Sequence, residues 1–188
     1  MHLTRRTLVQ SSLLAAPFAA ISGRRAIAAS DAAEIDRDAS AALQRLYHID
    51  RRASGLGSKA AGVLIFPRIV KAGFIFGGQG GKGVLRRGGR TAGYYTIAAA
   101  SFGLQAGVQW FSYVLFFMNE NALRYLDKSD GWAIGTDPNV VVVDRGAGAT
   151  LNSTTLAKDV IAFPFGQKGL MADLSLQGSK ITTYNPSA

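Results

Sequence analysis

A long segment of this chain is rich in basic residues and contains no acid. Between Asp50 and Glu120 the sequence has nine lysines and arginines but no aspartate or glutamate. Because carboxylates are the usual neutralisers of a basic surface, their absence predicts a positive field that attracts anions such as lipid headgroups or nucleic acid phosphates. The residues we expect to bind such anions are Lys59, Arg68, Lys71, Lys82, Arg86, Arg87 and Arg90.

A glycine-rich run among these basic residues formally matches a dinucleotide-binding motif. Gly78-Gln79-Gly80-Gly81-Lys82-Gly83 follows an apparent strand. The motif binds pyrophosphate only where a helix N-terminus follows, whereas residues 84–89 have the composition of a strand and a turn. Lys82 is also followed by glycine, where the phosphate-binding loop of nucleoside triphosphatases needs serine or threonine. We therefore expect no nucleotide cofactor.

The chain offers few residues for catalysis or for metal binding. It has no cysteine, and its only histidine beyond residue 2 is His48, which lies close to Arg51 and Arg52. The aspartates between residues 127 and 144 lack the spacing of a calcium-binding loop. A nucleophile with its base, or a set of nitrogen and sulfur ligands, is not indicated. We expect a protein that needs no cofactor or metal and is not an enzyme, with an enzyme as the less favoured alternative.

The first residues are typical of an export signal. Thr4-Arg5-Arg6-Thr7-Leu8-Val9 matches a twin-arginine motif, residues 13–21 are apolar, and Ala26-Ile27-Ala28 offers a cleavage site. The apolar core is about half of the roughly 20 residues that span a bilayer, which favours cleavage over a retained anchor. Because residues 1–28 contain four arginines and no acid, cleavage lowers the formal charge from +9 to +5. We expect an exported, periplasmic protein that associates peripherally with a membrane.

The remaining chain divides into a helical segment and a β-rich segment. Apolar residues recur at three- and four-residue spacing over residues 31–52, with acids in the first turns, which predicts an amphipathic helix that stops at residues 54–57. A second short helix is predicted over residues 119–128, with Asn119 as its cap. The expected parts are a signal peptide at 1–28, a helix and linker at 29–57, and a β-rich domain at 58–188.

Short apolar runs separated by glycine predict antiparallel strands beyond residue 57. The runs lie at residues 61–66, 72–76, 84–87, 93–97, 139–144, 160–165 and 170–176. Gly88 and Gly89 permit the positive φ angles of a hairpin turn. Residues 91–118 contain no charge, which requires a membrane helix to be considered, but Gln105 and Gln109 interrupt the segment and its second half is apolar on both faces. This pattern favours a central strand buried between two layers.

Together these patterns predict an α+β fold. We expect a dominant twisted antiparallel β-sheet, an N-terminal amphipathic helix and a second short helix, because strands outnumber helices and no regular βαβ alternation occurs.

Several blocks of the sequence form a recognisable series. The blocks, in order, are Ala61-Gly62-Val63-Leu64-Ile65-Phe66-Pro67, Val70-Lys71-Ala72-Gly73-Phe74, Gly81-Lys82-Gly83-Val84-Leu85, Ser101-Phe102-Gly103-Leu104-Gln105-Ala106-Gly107-Val108-Gln109, Asn119-Glu120-Asn121-Ala122-Leu123 and Lys168-Gly169-Leu170-Met171-Ala172-Asp173-Leu174-Ser175-Leu176-Gln177-Gly178. Together they resemble the SYLF domain, a lipid-binding family with exported bacterial members, and the similarity extends over residues 59–181.

The resemblance implies binding of acidic phospholipids through basic surface positions and, in some members, through an amphipathic N-terminal helix. Lys71 and Lys82 fall inside matching blocks, whereas the hairpin arginines lie where the family sequence varies. The chain departs from the family in two places. Residues 163–169 replace a Tyr-Ser-Arg-Ser-Lys-Gly-like run, and the N-terminal helix is acidic rather than basic.

We therefore expect a non-enzymatic domain that docks on anionic phospholipid or lipopolysaccharide phosphates at a membrane surface, with no nucleic acid partner. The alternative is a structural or protein-interaction module that recognises an acidic protein partner. The sequence leaves the oligomeric state open.

Overall fold

The computed structural model describes residues 19–73, 76–102, 107–127, 131–134, 139–143, 157–169 and 179–186. The helices are α1 (Ala19–Ile49), α2 (Arg51–Gly57) and α3 (Glu120–Leu123), and a 3₁₀ turn follows at Arg124–Asp127. The strands are β1 (Gly62–Gly73), β2 (Phe76–Arg87), β3 (Arg90–Phe102), β4 (Gly107–Phe117), β5 (Trp132–Ala133), β6 (Val140–Val142), β7 (Val160–Gly169) and β8 (Lys180–Tyr184).

All eight strands belong to one sheet. Their spatial order is β5-β8-β3-β2-β1-β4-β7-β6, and every pair is antiparallel except β6 with β7. The long strands β1 to β4 lie at the centre and the short strands lie at the two edges. This arrangement confirms the predicted α+β class with a dominant sheet, an N-terminal helix and a second short helix.

The N-terminal helix differs from its prediction at both ends. It begins at Ala19, so it includes the predicted cleavage site, and it ends at Ile49 rather than at residue 52. The helix ends before Asp50 because this residue adopts an extended conformation. Its side chain accepts a hydrogen bond from the backbone N–H of Arg52. Asp50 therefore caps α2, and the predicted stop at residues 54–57 lies inside that second helix.

The glycine-rich run is part of a strand rather than a loop. Residues 77–83 lie inside β2, which pairs with β1 on one side and β3 on the other. Gly88 and Gly89 form the turn to β3 with φ angles of 55° and 78°, as the predicted hairpin requires. The described part of segment 91–118 lies mainly in two strands, β3 and β4, and the buried strand predicted in its second half is confirmed. No helix among the described residues combines the length and apolar character that a membrane span requires.

The two faces of the sheet are covered by different elements. On one face, α1 and α2 pack through Ala39, Leu46 and Leu56 against residues such as Val114 and Phe116 of the sheet. On the opposite face, α3, the 3₁₀ turn and β5 pack over the alternate residues of the same strands, including Leu64, Tyr113 and Leu115. Both faces of β4 are therefore buried, which explains why its sequence is apolar in consecutive positions.

The edge strands were the weakest part of the prediction. The run 139–144 is predicted to be an antiparallel strand, but β6 pairs with β7 in parallel at the sheet edge, where Val142 is 43% exposed because an edge strand has a neighbour on one side only. The strands β5 and β8 were not predicted. The strand predicted at 170–176 lies outside the described residues.

Candidate functional site

Three of the basic residues that were expected to bind anions form ion pairs with acids. The pairs, measured from side-chain nitrogen to carboxylate oxygen, are Lys82–Asp31 at 2.9 Å, Arg86–Asp36 at 3.8 Å and Arg87–Glu120 at 2.6 Å. The acids belong to α1 and α3, outside the acid-free stretch of sequence. The expectation that no carboxylate neutralises this stretch is therefore wrong at these three positions.

Asp31 is the centre of a polar cluster that joins α1 to two strands. Its carboxylate accepts hydrogen bonds from Lys82 Nζ at 2.9 and 3.1 Å and from the hydroxyl of Tyr184. The ammonium of Lys82 also lies 4.8 Å from the centre of the Tyr184 ring. The hydrogen bond from Tyr184 and then that from Lys82 lower the pKa of Asp31, and the hydrogen bonds with Tyr184 and then with Asp31 raise the pKa of Lys82. Both groups are thus held in their charged forms.

Asp36 is the centre of a second cluster, one turn further along α1. Its carboxylate accepts hydrogen bonds from the hydroxyls of Tyr94 at 2.6 Å and Thr91 at 2.7 Å. Arg86 donates to the backbone carbonyl of Asp36 at 3.0 Å and to Ser40 Oγ at 2.6 Å. Burial, followed by the hydrogen bond to Asp36, raises the pKa of Tyr94 to about 12. Arg86 is therefore a cross-link between β2 and α1.

The other four predicted residues lie in different environments. Lys71 is only 7% exposed, inside β1. Lys59 and Arg90 are exposed and form no ion pair with any described residue. Arg68 is exposed beside an open groove. The structure thus places the seven residues on several surfaces and in the interior, and their joint role in lipid binding stays a prediction.

The groove beside Arg68 is the most distinctive open surface of the described chain. It has a volume of about 660 Å³ and lies between the C-terminal half of α1 and strands β1, β4 and β7. Its lining residues are Arg45, Pro67, Arg68, Trp110, Phe111, Ser112, Gly166 and Lys168. A neighbouring hollow of about 590 Å³ shares Arg45 and Gly166 and extends along α1 to His48 and Ile49.

Irregular strand pairing forms the floor of this groove. Strand β1 shifts register against β4 between Phe66 and Ile69, a β-bulge that accommodates Pro67, which has no N–H for the ladder. Strand β7 shifts against β4 beside Gly166, whose φ is 69°. Ser112 Oγ, between the two irregularities, donates to the carbonyl of Pro67 at 2.8 Å. Register shifts therefore occur on both sides of β4 at the groove.

The groove combines positive charge with exposed apolar surface. Its only charged lining residues are Arg45, Arg68 and Lys168; all three are exposed, and none forms an ion pair with a described residue. Trp110 is 44% exposed and Val108, two residues away on the same strand face, is 46% exposed. This arrangement can bind an anion and an apolar group side by side.

The described residues give no indication of a catalytic or metal centre. Among them, no group of three histidine, cysteine, aspartate or glutamate side chains is close enough to hold a metal ion. The only histidine within the described ranges, His48, is exposed at the end of the hollow along α1.

A helix thus packs on a curled sheet and leaves a groove with three exposed cations open beside it. The family model described as "Ysc84: Las17-binding protein actin regulator" matches residues 98–187. This segment, nearly half of the chain, matches the model of the family that contains the SYLF domain, which confirms the resemblance found in the sequence. No curated protein gives a match.

Sequence reasoning missed three groove residues that carry a charge or an exposed ring, namely Trp110, Lys168 and Arg45. Trp110 and Lys168 lie within the family match, whereas Arg45 lies in α1, outside it. The segment 163–169, whose sequence departs from that of the family, contains Lys168 and the bulge at Gly166. This departure was the sequence signal that could have indicated a site at these residues. Arg45 had no local signal, because its neighbours in the groove come from strands far along the chain.

Proposed function

We propose that this protein is a non-enzymatic module that docks on anionic phospholipid headgroups at a membrane surface, and that the groove is its docking site. The match to the model of a family of binding domains supports the general class. The observation on which the site rests is a group of three cations without an ion-pair partner among the described residues, Arg45, Arg68 and Lys168, beside the exposed indole of Trp110.

The charges supply the first part of the attraction. Near an anionic bilayer each lysine or arginine contributes about 1 kcal/mol, so three contribute about 3 kcal/mol, which corresponds to a roughly 100-fold gain in partitioning. Lys82, Arg86 and Arg87 contribute less in this proposal, because Asp31, Asp36 and Glu120 neutralise them locally. The groove thereby replaces the β2 hairpin as the proposed contact surface.

The exposed apolar residues of the groove supply the second part of the attraction to the membrane. Tryptophan prefers the boundary between water and the acyl chains, where its ring is buried and its N–H remains hydrated. Trp110 and Val108 point from the same face of β4, next to the cations. An interfacial anchor of this kind needs no membrane-spanning helix and no covalent lipid.

The predicted export signal bears on which lipids are available. If residues 1–28 are removed at the predicted site, the part of α1 that contacts the sheet from Asp31 onwards is retained. In a periplasm the ligands would be phosphatidylglycerol, cardiolipin or lipopolysaccharide phosphates, and we include this location in the proposal.

Vesicle flotation tests the proposal. We expect the protein to float with phosphatidylglycerol-containing vesicles and not with pure phosphatidylcholine vesicles at low salt. Binding should weaken as salt rises, because the Debye length falls from about 30 Å at 0.01 M to about 8 Å at 0.15 M. Equal recovery on neutral and anionic vesicles would refute the charge mechanism.

Two triple variants with the same net charge locate the site. Replacing the groove cations in R45Q/R68Q/K168Q should reduce partitioning by roughly 100-fold. The control K59Q/R90Q/R124Q removes three exposed cations that form no ion pair with described residues and do not line the groove. Equal losses in the two variants would mean that net charge, and not the groove, controls binding.

A second function, recognition of an acidic protein partner, is favoured by the family description, which names a Las17-binding actin regulator. In this alternative the hairpin arginines meet acidic side chains of the partner. The variant R86E/R87E/R90E distinguishes the two functions in a pull-down from envelope extract combined with flotation. Loss of one specific partner with vesicle binding intact would favour the protein-interaction role.

A further inference from the structure

A second open space adjoins the groove along the C-terminal half of α1, and its lining is mainly apolar. It is the hollow of about 590 Å³ lined by Ala41, Gln44, Arg45, His48, Ile49, Phe165 and Gly166. We infer that the groove and this hollow together bind one molecule of an anionic lysophospholipid, with its headgroup in the groove and its single acyl chain in the hollow. The inference rests on the proposed function of the groove and adds a site for the chain, by which the protein holds a lipid outside a bilayer.

One exposed face of α1 forms the wall of the hollow. The five α1 residues of its lining fall at positions i, i+3, i+4, i+7 and i+8, and all five are exposed. They therefore lie on one side of the helix. This side is distinct from the buried stripe of Ala39, Ala42 and Leu46, which packs on the sheet. The helix thus has a second face beside the sheet, and Ala41 and Ile49 make part of that face apolar.

Two residues of β7 complete the hollow and connect it to the groove. Phe165 is only 5% exposed and forms part of the floor of the hollow. Gly166 lines both spaces, and a Cβ at this position would have only Ser112 Oγ within 4 Å, at 3.9 Å, apart from its chain neighbours. The passage from the groove to the hollow is therefore open at Gly166.

The groove end of the combined site is positive. Arg45, Arg68 and Lys168 line the groove, are exposed and form no ion pair with a described residue. None of the described residues that line the two spaces is acidic. Because arginine binds phosphate through two parallel N–H···O bonds, a phosphate suits this end. Arg45 belongs to both linings, so the charged group of the ligand lies close to the point where the chain enters the hollow.

The size of the charged end distinguishes a lysophospholipid from a fatty acid. A fatty acid has one small carboxylate, which cannot contact three cations that line a groove of about 660 Å³. A phosphodiester with its glycerol hydroxyls is larger and offers more acceptor oxygens to these cations. One headgroup space joined to one apolar hollow matches a lipid with one chain.

Isothermal titration calorimetry on the full chain, with every lipid below its micelle concentration, tests the inference. The probes are lauroyl lysophosphatidylglycerol, lauroyl lysophosphatidylcholine, glycerophosphoglycerol and laurate. We expect saturable binding of one lauroyl lysophosphatidylglycerol per chain, at least tenfold tighter than binding of the other three, because these lack the net charge, the acyl chain and the phosphate, respectively. Absence of saturable binding, or equal affinity for any of the other three, would overturn the inference.

The length of the acyl chain tests whether the hollow takes it up. Each methylene that is buried tightens binding by up to about fourfold. Lauroyl lysophosphatidylglycerol should therefore bind several-fold tighter than its decanoyl counterpart, since the headgroup contacts of the two lipids are the same. Equal affinities would mean that the chain stays in water, and the hollow would then not be its site.

The variant I49Q removes apolar surface from the hollow. Ile49 is 36% exposed in its lining, and we expect a loss of roughly three- to tenfold in affinity for lauroyl lysophosphatidylglycerol. The control V142Q changes an exposed apolar side chain of β6 that lines neither space, and its affinity should match that of the natural chain. Equal losses in the two variants would contradict a chain site in the hollow.

A second pair of variants keeps the test decisive if I49Q disturbs the end of α1. In A41F the new ring occupies the hollow, whereas A33F adds the same ring at an exposed position of α1 that lines neither space. We expect A41F to bind lauroyl lysophosphatidylglycerol at least tenfold more weakly than A33F. Equal affinities of A41F and A33F would refute the chain site.

Flotation separates the chain site from membrane docking. A41F and A33F should float equally with phosphatidylglycerol-containing vesicles, because both retain the groove cations. If the natural chain floats but binds no lysophosphatidylglycerol, the chain site is wrong and the proposed function stands. If it binds the lysophospholipid but does not float, docking on bilayers is wrong and the site for a single lipid stands.

Discussion

Trp110 gives the sharpest test of how the groove contacts a membrane. The chain has two tryptophans, and the other, Trp132, is 2% exposed and packs against Phe117 and Tyr125. A spectral change on vesicle binding therefore reports on Trp110. Its side chain is 44% exposed; taking about 250 Å² for a whole tryptophan, about 110 Å² would be removed from water on docking. At about 25 cal/mol per Å² this contributes at most about 3 kcal/mol.

The variant W110A should lose most of that contribution. We expect vesicle partitioning to fall by roughly 10- to 100-fold, because the ring enters the interface only in part. The natural chain should show a blue shift of emission and quenching by brominated lipid on anionic vesicles, and W110A should show neither. The control V142A removes an equally exposed apolar side chain on the edge strand β6 and should bind normally. Unaltered partitioning of W110A, or a blue shift that persists without Trp110, would refute insertion at the groove.

Two further predictions concern the sheet and its helix. The hydrogen bonds from Tyr184 and then from Lys82 lower the pKa of Asp31, so they stabilise the fold fully above its ordinary pKa of 3.8, and this stability is lost as pH falls through the lowered pKa. D31N should therefore lower the melting temperature more at pH 7 than near pH 2; an equal effect at both pH values would contradict this. In G83A the new Cβ would lie 2.5 Å from the Phe66 ring, so we expect a loss of about 1–3 kcal/mol in the free energy of unfolding by urea denaturation. The control G80A, whose nearest neighbour is 3.6 Å away, should be close to neutral, and equal losses would show that packing is not the cause.

Much of the fold was predictable because its signals are local. The spacing of Ile35, Ala39 and Leu46 indicated a helix packed on one face, and Gly88-Gly89 indicated a hairpin turn. Other features depend on neighbours in space. Strand β1 continues through Pro67 because a bulge absorbs the missing N–H, and the glycines of β2 remain in a strand because hydrogen bonds to two long neighbours outweigh their low strand propensity.

The site was less predictable because its charges are paired over long distances in the sequence. The stretch contains no acid, but its basic side chains bond to residues far away in the sequence. Lys82 bonds to Asp31, 51 residues away, and Arg86 bonds to Ser40, 46 residues away. A count of charges along the chain cannot detect such partners. Lys71 shows a second reason why the site was hard to predict. Alternation in a strand does not reveal which face of the strand is covered, and Lys71 lies on a covered face.

The acidic N-terminal helix acquires a role from these contacts. Its N-terminal half provides Asp31 and Asp36, which neutralise the cations of β2, whereas its C-terminal half contributes Arg45 to the groove. At physiological salt the Debye length is about 8 Å, so an approaching bilayer responds to local charge, and a paired cation acts as a weak dipole. In the proposed docking, the groove end would then be the part of this surface that attracts an anionic bilayer most strongly. The helix would therefore orient the domain on a membrane by cancelling positive charge at one end and leaving it free at the other.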